Sequence, residues 1–422
     1  MPGAARWGRL ITAGSVVAIA GLTLFPDPGA AAAAAKTRLL CLVCGDGGGV
    51  DVVLNLILFI PLGLGLRLAG VRMPRAVATA AALSLTIELL QLTVVTGRDA
   101  SLSDVITNTL GGAFGAAVAT RVPLLLFPGR REARGLLVGG ALGWLALLGL
   151  SAWLLSPDYG DGELGSAWAD IPAPEVFTGR VLEVSRSGVV QPRAGIPPDS
   201  AALRRDLRAG RIALAARVVT GPPSGGRRWI YVIGENGLPR LDLSRQGGDL
   251  VLGLPAHSQR LLLGTPSVLL KGAFPRDSGR EVTVQAEAAD RVVRLAAGSG
   301  PDRREVTVPL SPAMGWTLIA PFGLGLGPRV PLLTAVLLFG LTLPLGYWGG
   351  RHRRPGPAAS LLLATLVVGL GGIAALGGFP PVAWSEWLGA GAGAAAGWAL
   401  VRVAAYLQAR CGSPSTAESF LS

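Results

Sequence analysis

Long apolar runs at both ends of the chain constrain its fold more than any other feature. Eight runs are long enough, or nearly so, to cross a hydrocarbon layer of about 30 Å as a helix. They cover roughly residues 9–25, 51–70, 76–96, 104–120, 136–155, 330–349, 358–378 and 385–405. Only 15% of the 422 residues are charged, whereas a soluble protein of this length carries about a quarter. The sequence predicts a polytopic α-helical membrane protein of about eight transmembrane helices.

Arginines in the short loops between these runs predict the orientation of the chain. Clusters follow the second, fourth and sixth runs, as in Arg72 and Arg75, and Arg402 and Arg410 close the last. With the N-terminus inside, every cluster lies on the cytoplasmic side, as the positive-inside rule requires. We therefore expect a multi-pass protein of the bacterial cytoplasmic (inner) membrane with both termini cytoplasmic. Cleavage of the first run as a signal peptide stays an alternative to an uncleaved helix.

The formal net charge of +12 would suit a nucleic-acid partner. The arginines are explained better by their topological role in the loops, so we expect no nucleic acid. The partners that the composition favours are membrane lipids, and the sequence leaves the oligomeric state open.

A polar segment, residues 156–312, separates the two helical blocks. Short alternating runs and turn sequences such as "GPPSGG" predict strands at 211–219, 228–234, 249–254, 259–264, 280–287, 290–298 and 304–310. Strands at this spacing favour an all-β sandwich or jelly roll. The predicted domains are an N-terminal membrane domain at 1–155 with five helices, an extracytoplasmic sandwich at 156–312, and a C-terminal membrane domain at 313–422 with three helices. An interfacial segment at 315–327 would precede the last three.

Polar side chains interrupt three of the apolar runs of the first block. A carboxylate at the centre of a membrane helix costs roughly 2.5–3.5 kcal/mol on insertion scales, so it needs a partner, a cavity or a function. Ser84, Glu88 and Gln91 are four and three residues apart and share one helix face. The direction of each run places all three polar stripes near the outer surface. The candidate ligand-binding residues are Asp51, Asn55, Ser84, Glu88, Gln91, Arg98, Asp104 and Asn108.

These motifs together resemble the VanZ family of bacterial membrane proteins. "DVVLNLILFIPLGLGL", "SLTIELLQ" and "GRDASLSDVITNTLGGAFG" match the order of the family's motifs over about residues 38–120. The resemblance matches Asn55, Glu88, Gln91, Arg98, Asp104 and Asn108 to the family's polar positions. It gives a structural role to Phe59, Pro61, Gly63, Gly111, Gly112 and Gly115. Ser103 stands where family members often carry the first of two aspartates, which weakens any mechanism that needs two carboxylates there.

The resemblance implies a theme and a place, but no reaction. The founding member is associated with low-level resistance to the lipoglycopeptide teicoplanin, which points to the outer leaflet and to envelope glycolipids. The segment 156–312 resembles the concanavalin-like (laminin G-like) sandwich, a fold that often binds carbohydrate. The favoured function is an envelope protein that binds a lipid-linked or glycosylated molecule at the outer leaflet and contributes to glycopeptide tolerance.

Two rival functions stay open. In one, a membrane enzyme acts on an envelope lipid with Glu88 or Asp104 as general acid or base. In the other, a lipid transporter, the halves should show an inverted repeat; none is visible, and the second half lacks a comparable polar stripe. No Ser/His/Asp triad can be assembled, and whether the protein is an enzyme is undecided, with a binding role favoured.

Structural roles compete with functional ones at several positions. Glu88 could pair with Arg98 or hydrogen-bond Asn108, and Asp51 and Asp104 could be plain helix caps. Cys41 and Cys44 would form a local disulfide in an oxidising compartment. His257 and His352 are predicted on opposite sides of the membrane, so we expect no metal site and no cofactor.

In the sandwich, Trp168, Trp229 and Tyr231 could stack on sugars, although core packing is favoured. Trp229 and Tyr231 alternate with apolar residues along a strand, which suits a sheet that faces a core.

Overall fold

The computed structural model describes residues 2–25, 43, 47–95, 101–168, 176–298, 302–320, 325–352 and 355–411. The chain divides into two compact units. The first contains Met1–Pro128 with the short segments Gln259–Gly264 and Leu318–Pro321, and the second contains the remainder.

Among the described residues, four helices form the first unit. They are α1 (Pro2–Thr23), α2 (Gly48–Leu68), α3 (Met73–Thr93) and α4 (Leu102–Leu126). Gly47 precedes α2 in the left-handed region with φ 94°, a conformation that glycine adopts without a steric penalty. The Ser101 side chain caps α4 by accepting from the Ser103 backbone N–H at 3.2 Å. A small apolar core joins α1, α2 and α3 and comprises Ile19, Phe59, Leu62, Ala80 and Ile87.

Glycines bring α2 and α4 into backbone contact. A Cβ at Gly63 would overlap the Gly112 carbonyl, and a Cβ at Gly115 would overlap the Ile60 carbonyl. Gly111 leaves no more room, because a Cβ there would meet the Leu56 carbonyl. Small residues at an interface allow this close approach in membranes, where helix association depends on packing.

The second unit combines an all-β domain with helices. Its twelve strands are β1 (Leu164–Ala167), β2 (Arg180–Arg186), β3 (Val189–Val190), β4 (Ala194–Gly195), β5 (Ile212–Val219), β6 (Arg227–Glu235), β7 (Leu238–Gln246), β8 (Asp249–Gly253), β9 (Ser267–Leu270), β10 (Glu281–Ala289), β11 (Val292–Ala297) and β12 (Arg304–Pro309). They form two six-stranded antiparallel sheets, ordered β4-β1-β6-β7-β8-β9 and β12-β11-β10-β5-β2-β3. The predicted all-β domain is therefore present as a sandwich.

The strand prediction is wrong at one place and incomplete at others. Residues 259–264 were expected to form a strand, but a 3₁₀ helix covers His257–Leu261. The apolar run "LLL" there is too short for its periodicity to distinguish the two structures. β1, β2, β3, β4, β7 and β9 were not predicted, nor was the short amphipathic helix α6 (Ser200–Arg208), which buries Leu203 and Leu207.

The remaining helices of the second unit are α5 (Arg130–Leu154), α7 (Val330–Gly350), α8 (Pro355–Leu376) and α9 (Trp384–Cys411). A π-helical turn at Val367–Gly372 lies inside α8. The segment predicted at the interface, 315–327, begins within a 3₁₀ helix at Pro312–Ile319, and Met314 and Leu318 are buried in it.

Six helices of the described residues are long and apolar enough to cross a membrane. They are α2, α3, α4, α5, α7 and α8. The chain is thus a multi-pass membrane protein with a separate β domain, and the described residues do not confirm the expected number of eight spans. α1 and α9 are helices at the two remaining predicted positions but are not among the six.

Candidate functional site

The polar stripes of α2, α3 and α4 meet at one end of these helices. α2 and α4 contribute their first turns, and α3 contributes its last three turns, so the side chains converge although they lie far apart in sequence. Ser84, Glu88 and Gln91 are all buried along one side of α3, as their spacing predicts. Asn108 of α4 is 3% exposed, so this part of the cluster lies within the helix packing.

Ser84 and Asn108 join α3 to α4 at the centre of the cluster. The Asn108 side-chain amide donates to Ser84 Oγ at 2.9 Å, and Ser84 Oγ donates to the Asp104 carbonyl oxygen at 3.4 Å. Ser84 is fully buried. Asn108 therefore bonds Ser84, and the Glu88–Asn108 hydrogen bond that was the structural alternative for Glu88 is not formed.

The Glu88 carboxylate accepts from a backbone amide at the start of the next helix. Glu88 Oε2 lies 2.6 Å from the Ser101 backbone nitrogen. Glu88 is also close enough to Asp104 for their charges to interact, and Asp104 in turn interacts with Asp51. Asn55 donates a side-chain hydrogen bond to Asp104. The cluster thus gathers three carboxylates from three helices.

The Gln91 side chain extends the cluster to α1. Its Nε2 donates to the Thr23 carbonyl oxygen at 2.9 Å, at the last residue of that helix. Sequence reasoning missed this contact, because its acceptor is a backbone carbonyl, which every residue carries. A backbone carbonyl at a helix end is left without an intrahelical donor, and Gln91 supplies that donor.

Two buried acceptor oxygens in the cluster have no hydrogen-bond partner among the described residues. They are Gln91 Oε1 and Asn108 Oδ1, on the amides whose nitrogens are already engaged by Thr23 and Ser84. Together with the three carboxylates, they make the cluster rich in acceptors. A buried polar atom without a partner costs free energy, so an unsatisfied acceptor indicates a missing donor.

Neither aspartate is the helix cap that the structural alternative required. Gly47 occupies the N-cap of α2 and Ser101 that of α4, so Asp51 and Asp104 lie inside the first turns. Asp51 is exposed and Asp104 is partly buried. Acidic side chains in a first turn are also stabilised by the helix dipole, which leaves their carboxylates available for other contacts.

Some predicted residues lie outside the described part of the chain. Arg98, Cys41 and Cys44 are among them, so their pairings stay predictions. In the described residues, no group of three or more His, Cys, Asp or Glu side chains is arranged to hold a metal ion. Of the residues given a structural role, Phe59 is fully buried, whereas Pro61 is exposed inside α2.

A second buried carboxylate, Glu386, was not predicted. It lies in the first turn of α9 with no exposed surface. Its two carboxylate oxygens lie 3.0 and 2.9 Å from Ser311 Oγ and share the single proton of that hydroxyl. The signal was present in the sequence, because Glu386 is an isolated acid that opens a predicted membrane run. The second half, which was expected to lack a polar stripe comparable to that of the first half, therefore also buries a carboxylate.

The sandwich aromatics differ in their surroundings. Tyr231 is fully buried, its hydroxyl lies 3.3 Å from Gln191 Oε1, and burial raises the pKa of that phenol. It belongs to the core, as its alternation on the strand favoured. Trp168 and Trp229 are only partly buried, and Arg193 lies over the Trp168 ring at 5.8 Å.

A sequence model of the VanZ/LLP1 family matches residues 13–126. This VanZ-like region runs from within α1 to the end of α4. The match begins earlier than the motif resemblance, which started at about residue 38, and so includes the second half of the helix whose last carbonyl Gln91 contacts. No curated protein and no solved structure matches the chain. The match is consistent with a cell-envelope protein of the kind linked to glycopeptide resistance, and it leaves the sandwich without an assigned family.

Proposed function

We propose that the VanZ-like region binds the polar part of a lipid-linked or glycosylated envelope molecule. The observation that carries the proposal is the surplus of acceptors in the cluster, with Gln91 Oε1 and Asn108 Oδ1 buried and unpartnered among the described residues. Such a cluster suits a ligand that presents donors. Sugar hydroxyls and ammonium groups meet this requirement, whereas a bare phosphate would face three carboxylates.

The orientation that the arginine loops predict supports an outer-leaflet site. With the arginine loops on the cytoplasmic side, α2 and α4 begin at the outer surface and α3 ends there. The cluster then lies at the depth of the outer lipid head groups. In this arrangement both termini are cytoplasmic and the sandwich is extracytoplasmic, where it engages glycan. Trp168 and Trp229, which are partly exposed, are the candidate stacking surfaces.

Tolerance to glycopeptides follows if binding masks or retains the envelope molecule that these antibiotics act on. A catalytic role is the second candidate, because the Glu88 and Asp104 carboxylates lie close enough to interact. Paired carboxylates can divide the roles of acid and base. Turnover of an envelope lipid by the purified protein, lost in Glu88→Gln, would favour the enzyme.

A paired expression test examines the proposal. A susceptible host carries wild type, Glu88→Gln or Thr86→Val, membrane abundance is quantified, and cells are challenged with lipoglycopeptides. Thr86 is a matched control, because it is on the exposed face of α3 and its hydroxyl bonds only the Ala82 carbonyl of its own helix. We expect wild type and Thr86→Val to protect and an equally abundant Glu88→Gln not to. Protection by Glu88→Gln at wild-type abundance would refute the role of the cluster.

A further inference from the structure

A cavity of about 340 Å³ opens at one end of the sandwich, away from the VanZ-like region in sequence. Both sheets line it, β6 and β7 from one and β2, β5 and β10 from the other, and α6 lines it too. Its volume is in the range of cavities that hold small organic ligands. Nothing in the VanZ-like match or in the proposed function accounts for it.

The floor of this cavity is aliphatic. Leu203 and Leu207 of α6 lie across from Leu214, Ile233 and Leu241 of the sheets, and all five are nearly or fully buried. The described residues that line the cavity include no aromatic ring. Sugars are commonly recognised by stacking on aromatic faces, so this surface suits an aliphatic body better than a glycan.

Four charged side chains line the cavity, namely Arg186, Asp206, Arg211 and Glu287, and of these only Arg186 is buried. It pairs with Leu214 in the sheet register and is on the inward face of β2, two residues after the buried Val184. The turn that follows, with Ser187 at φ 49° and Gly188 at φ 82°, ends the strand at this position. Arg186 is only 8% exposed. An inward arginine in a sandwich requires compensation, because burying a charge is costly.

The compensation that Arg186 receives is incomplete. Its Nη2 donates to the Pro198 carbonyl oxygen at 3.1 Å, and its Nε has no partner among the described residues. Its Nη1 lies 4.0 Å from Asp206, the limit for an ion pair. Asp206 is held instead by Arg211, through Nε at 3.2 Å and Nη2 at 2.9 Å. The guanidinium of Arg186 is therefore a buried cation with a free donor.

Helix α6 is fixed over the cavity by contacts on its outer face. Arg204 donates to the Gly162 carbonyl at 2.6 Å, and Arg208 donates to the Tyr159 carbonyl at 2.9 Å. These bonds hold Leu203 and Leu207 in place before any ligand arrives. A preformed site loses less conformational entropy on binding.

We propose that this cavity is a binding site for a small amphipathic anion, with the aliphatic body against the leucine floor and the anionic head on Arg186. A short-chain carboxylate and a short-chain alkyl phosphate share this chemistry. Both bond a guanidinium well, since a charge-assisted hydrogen bond is stronger than a neutral one.

Equilibrium dialysis of the full-length protein in nanodiscs tests the proposal. Radiolabelled octanoate and octyl phosphate are the probes, octanol and inorganic phosphate are the comparison ligands, and empty nanodiscs correct for partitioning into lipid. We expect saturable binding at one site per chain, weaker by about tenfold or more for octanol and for inorganic phosphate. The preference between octanoate and octyl phosphate identifies the head group.

Four variants assign the binding to this cavity. Arg186→Gln should weaken octanoate binding by about tenfold or more, with partial recovery in Arg186→Lys. Ala289→Trp places a large ring at an exposed lining position and should block entry. Arg217→Gln is the matched control, because Arg217 is in the same sheet, pairs with Glu281 and does not line the cavity. It should bind octanoate as wild type does.

Several outcomes would overturn this assignment. They are an absence of saturable binding to the wild type, binding that Arg186→Gln and Ala289→Trp leave unchanged, and equal affinity for octanol and octanoate. If Arg186→Gln does not fold, as judged by thermal unfolding, then Ala289→Trp and the octanol comparison decide. Antibiotic protection is not a readout here, so failure of this site is distinguishable from failure of the VanZ-like site.

Discussion

Two helical regions of this protein each bury one carboxylate, and they satisfy it differently. In α7–α9, the two Glu386 oxygens share the Ser311 hydroxyl as their donor, and Thr342 bonds the Ala390 carbonyl of the neighbouring helix at 2.8 Å. In α1–α4, Glu88 takes one backbone amide, and two nearby amide oxygens have no described partner. The hydrogen bonds in α7–α9 are of the kind that stabilises helix packing in membranes. The unpartnered oxygens in α1–α4 indicate that a hydrogen-bond donor is missing there. Burial alone does not distinguish a structural carboxylate from a ligand-binding one, whereas the presence or absence of hydrogen-bond partners around it does.

The largest effect on stability is expected at a feature that both regions share, a glycine packed against a backbone carbonyl of the facing helix. Gly115 and Gly393 both pack against a carbonyl of the facing helix, those of Ile60 and Phe339. Alanine at either position should destabilise its region by about 1–3 kcal/mol because the helices must separate. Thermal unfolding in nanodiscs measures this. Gly14→Ala and Gly391→Ala are the controls, since their Cβ would meet nothing within 4 Å; equal losses in the controls would contradict the packing argument.

Removing the Glu386 carboxylate from the α7–α9 region should cause the next largest loss of stability. Glu386→Leu leaves the Ser311 hydroxyl without its bond and is expected to cost about 1–3 kcal/mol, whereas Glu386→Gln retains an acceptor and should cost less. Neither variant should alter antibiotic protection at equal abundance. Loss of protection in an equally abundant Glu386→Gln would show that this carboxylate has a function of its own.

Thr342→Val tests how much one interhelical hydrogen bond stabilises the α7–α9 packing. The change removes the bond to the Ala390 carbonyl while keeping the shape of the side chain. Interhelical hydrogen bonds in membranes contribute about 0.6 kcal/mol on average, so we expect a loss of about 1 kcal/mol or less in thermal unfolding. An unchanged unfolding temperature would mean that the bond adds nothing to the α7–α9 packing.

The smallest effect on stability is expected at Glu88. Glu88→Gln retains an acceptor for the Ser101 amide, so stability should stay within about 0.5 kcal/mol of wild type. Protection should nevertheless be lost. A scarce or unfolded Glu88→Gln protein would contradict this assignment, because Glu88 would then have a structural role like that of Glu386.

The sequence predicted the helices and the polar faces well because both depend on local periodicity. Ser84, Glu88 and Gln91 are buried together because spacings of four and three return to one face. The partners of these residues could not be predicted in the same way. Whether Gln91 meets a side chain or the carbonyl that ends α1 depends on tertiary packing, and a backbone carbonyl has no signature in the sequence.

The sandwich shows the same limit in another form. β5 and β10 alternate cleanly and were predicted close to their observed bounds. β2 was not, because its inward position carries Arg186 and its pairing shifts between Val181 and Glu183. A charged residue at an inward position interrupts the apolar alternation that predicts a strand, although here the residue lines a cavity. The local rule therefore fails at the position that we propose to be functional.

The most direct measurement is native mass spectrometry of lipids that copurify with wild type, Glu88→Gln and Glu386→Gln. If the acceptor-rich cluster binds an envelope molecule, a glycosylated or amine-bearing lipid should copurify with wild type and Glu386→Gln and be lost from Glu88→Gln. Retention of the same lipid by all three proteins at equal occupancy would contradict the central claim that the unsatisfied cluster, and not the satisfied one, is the binding site.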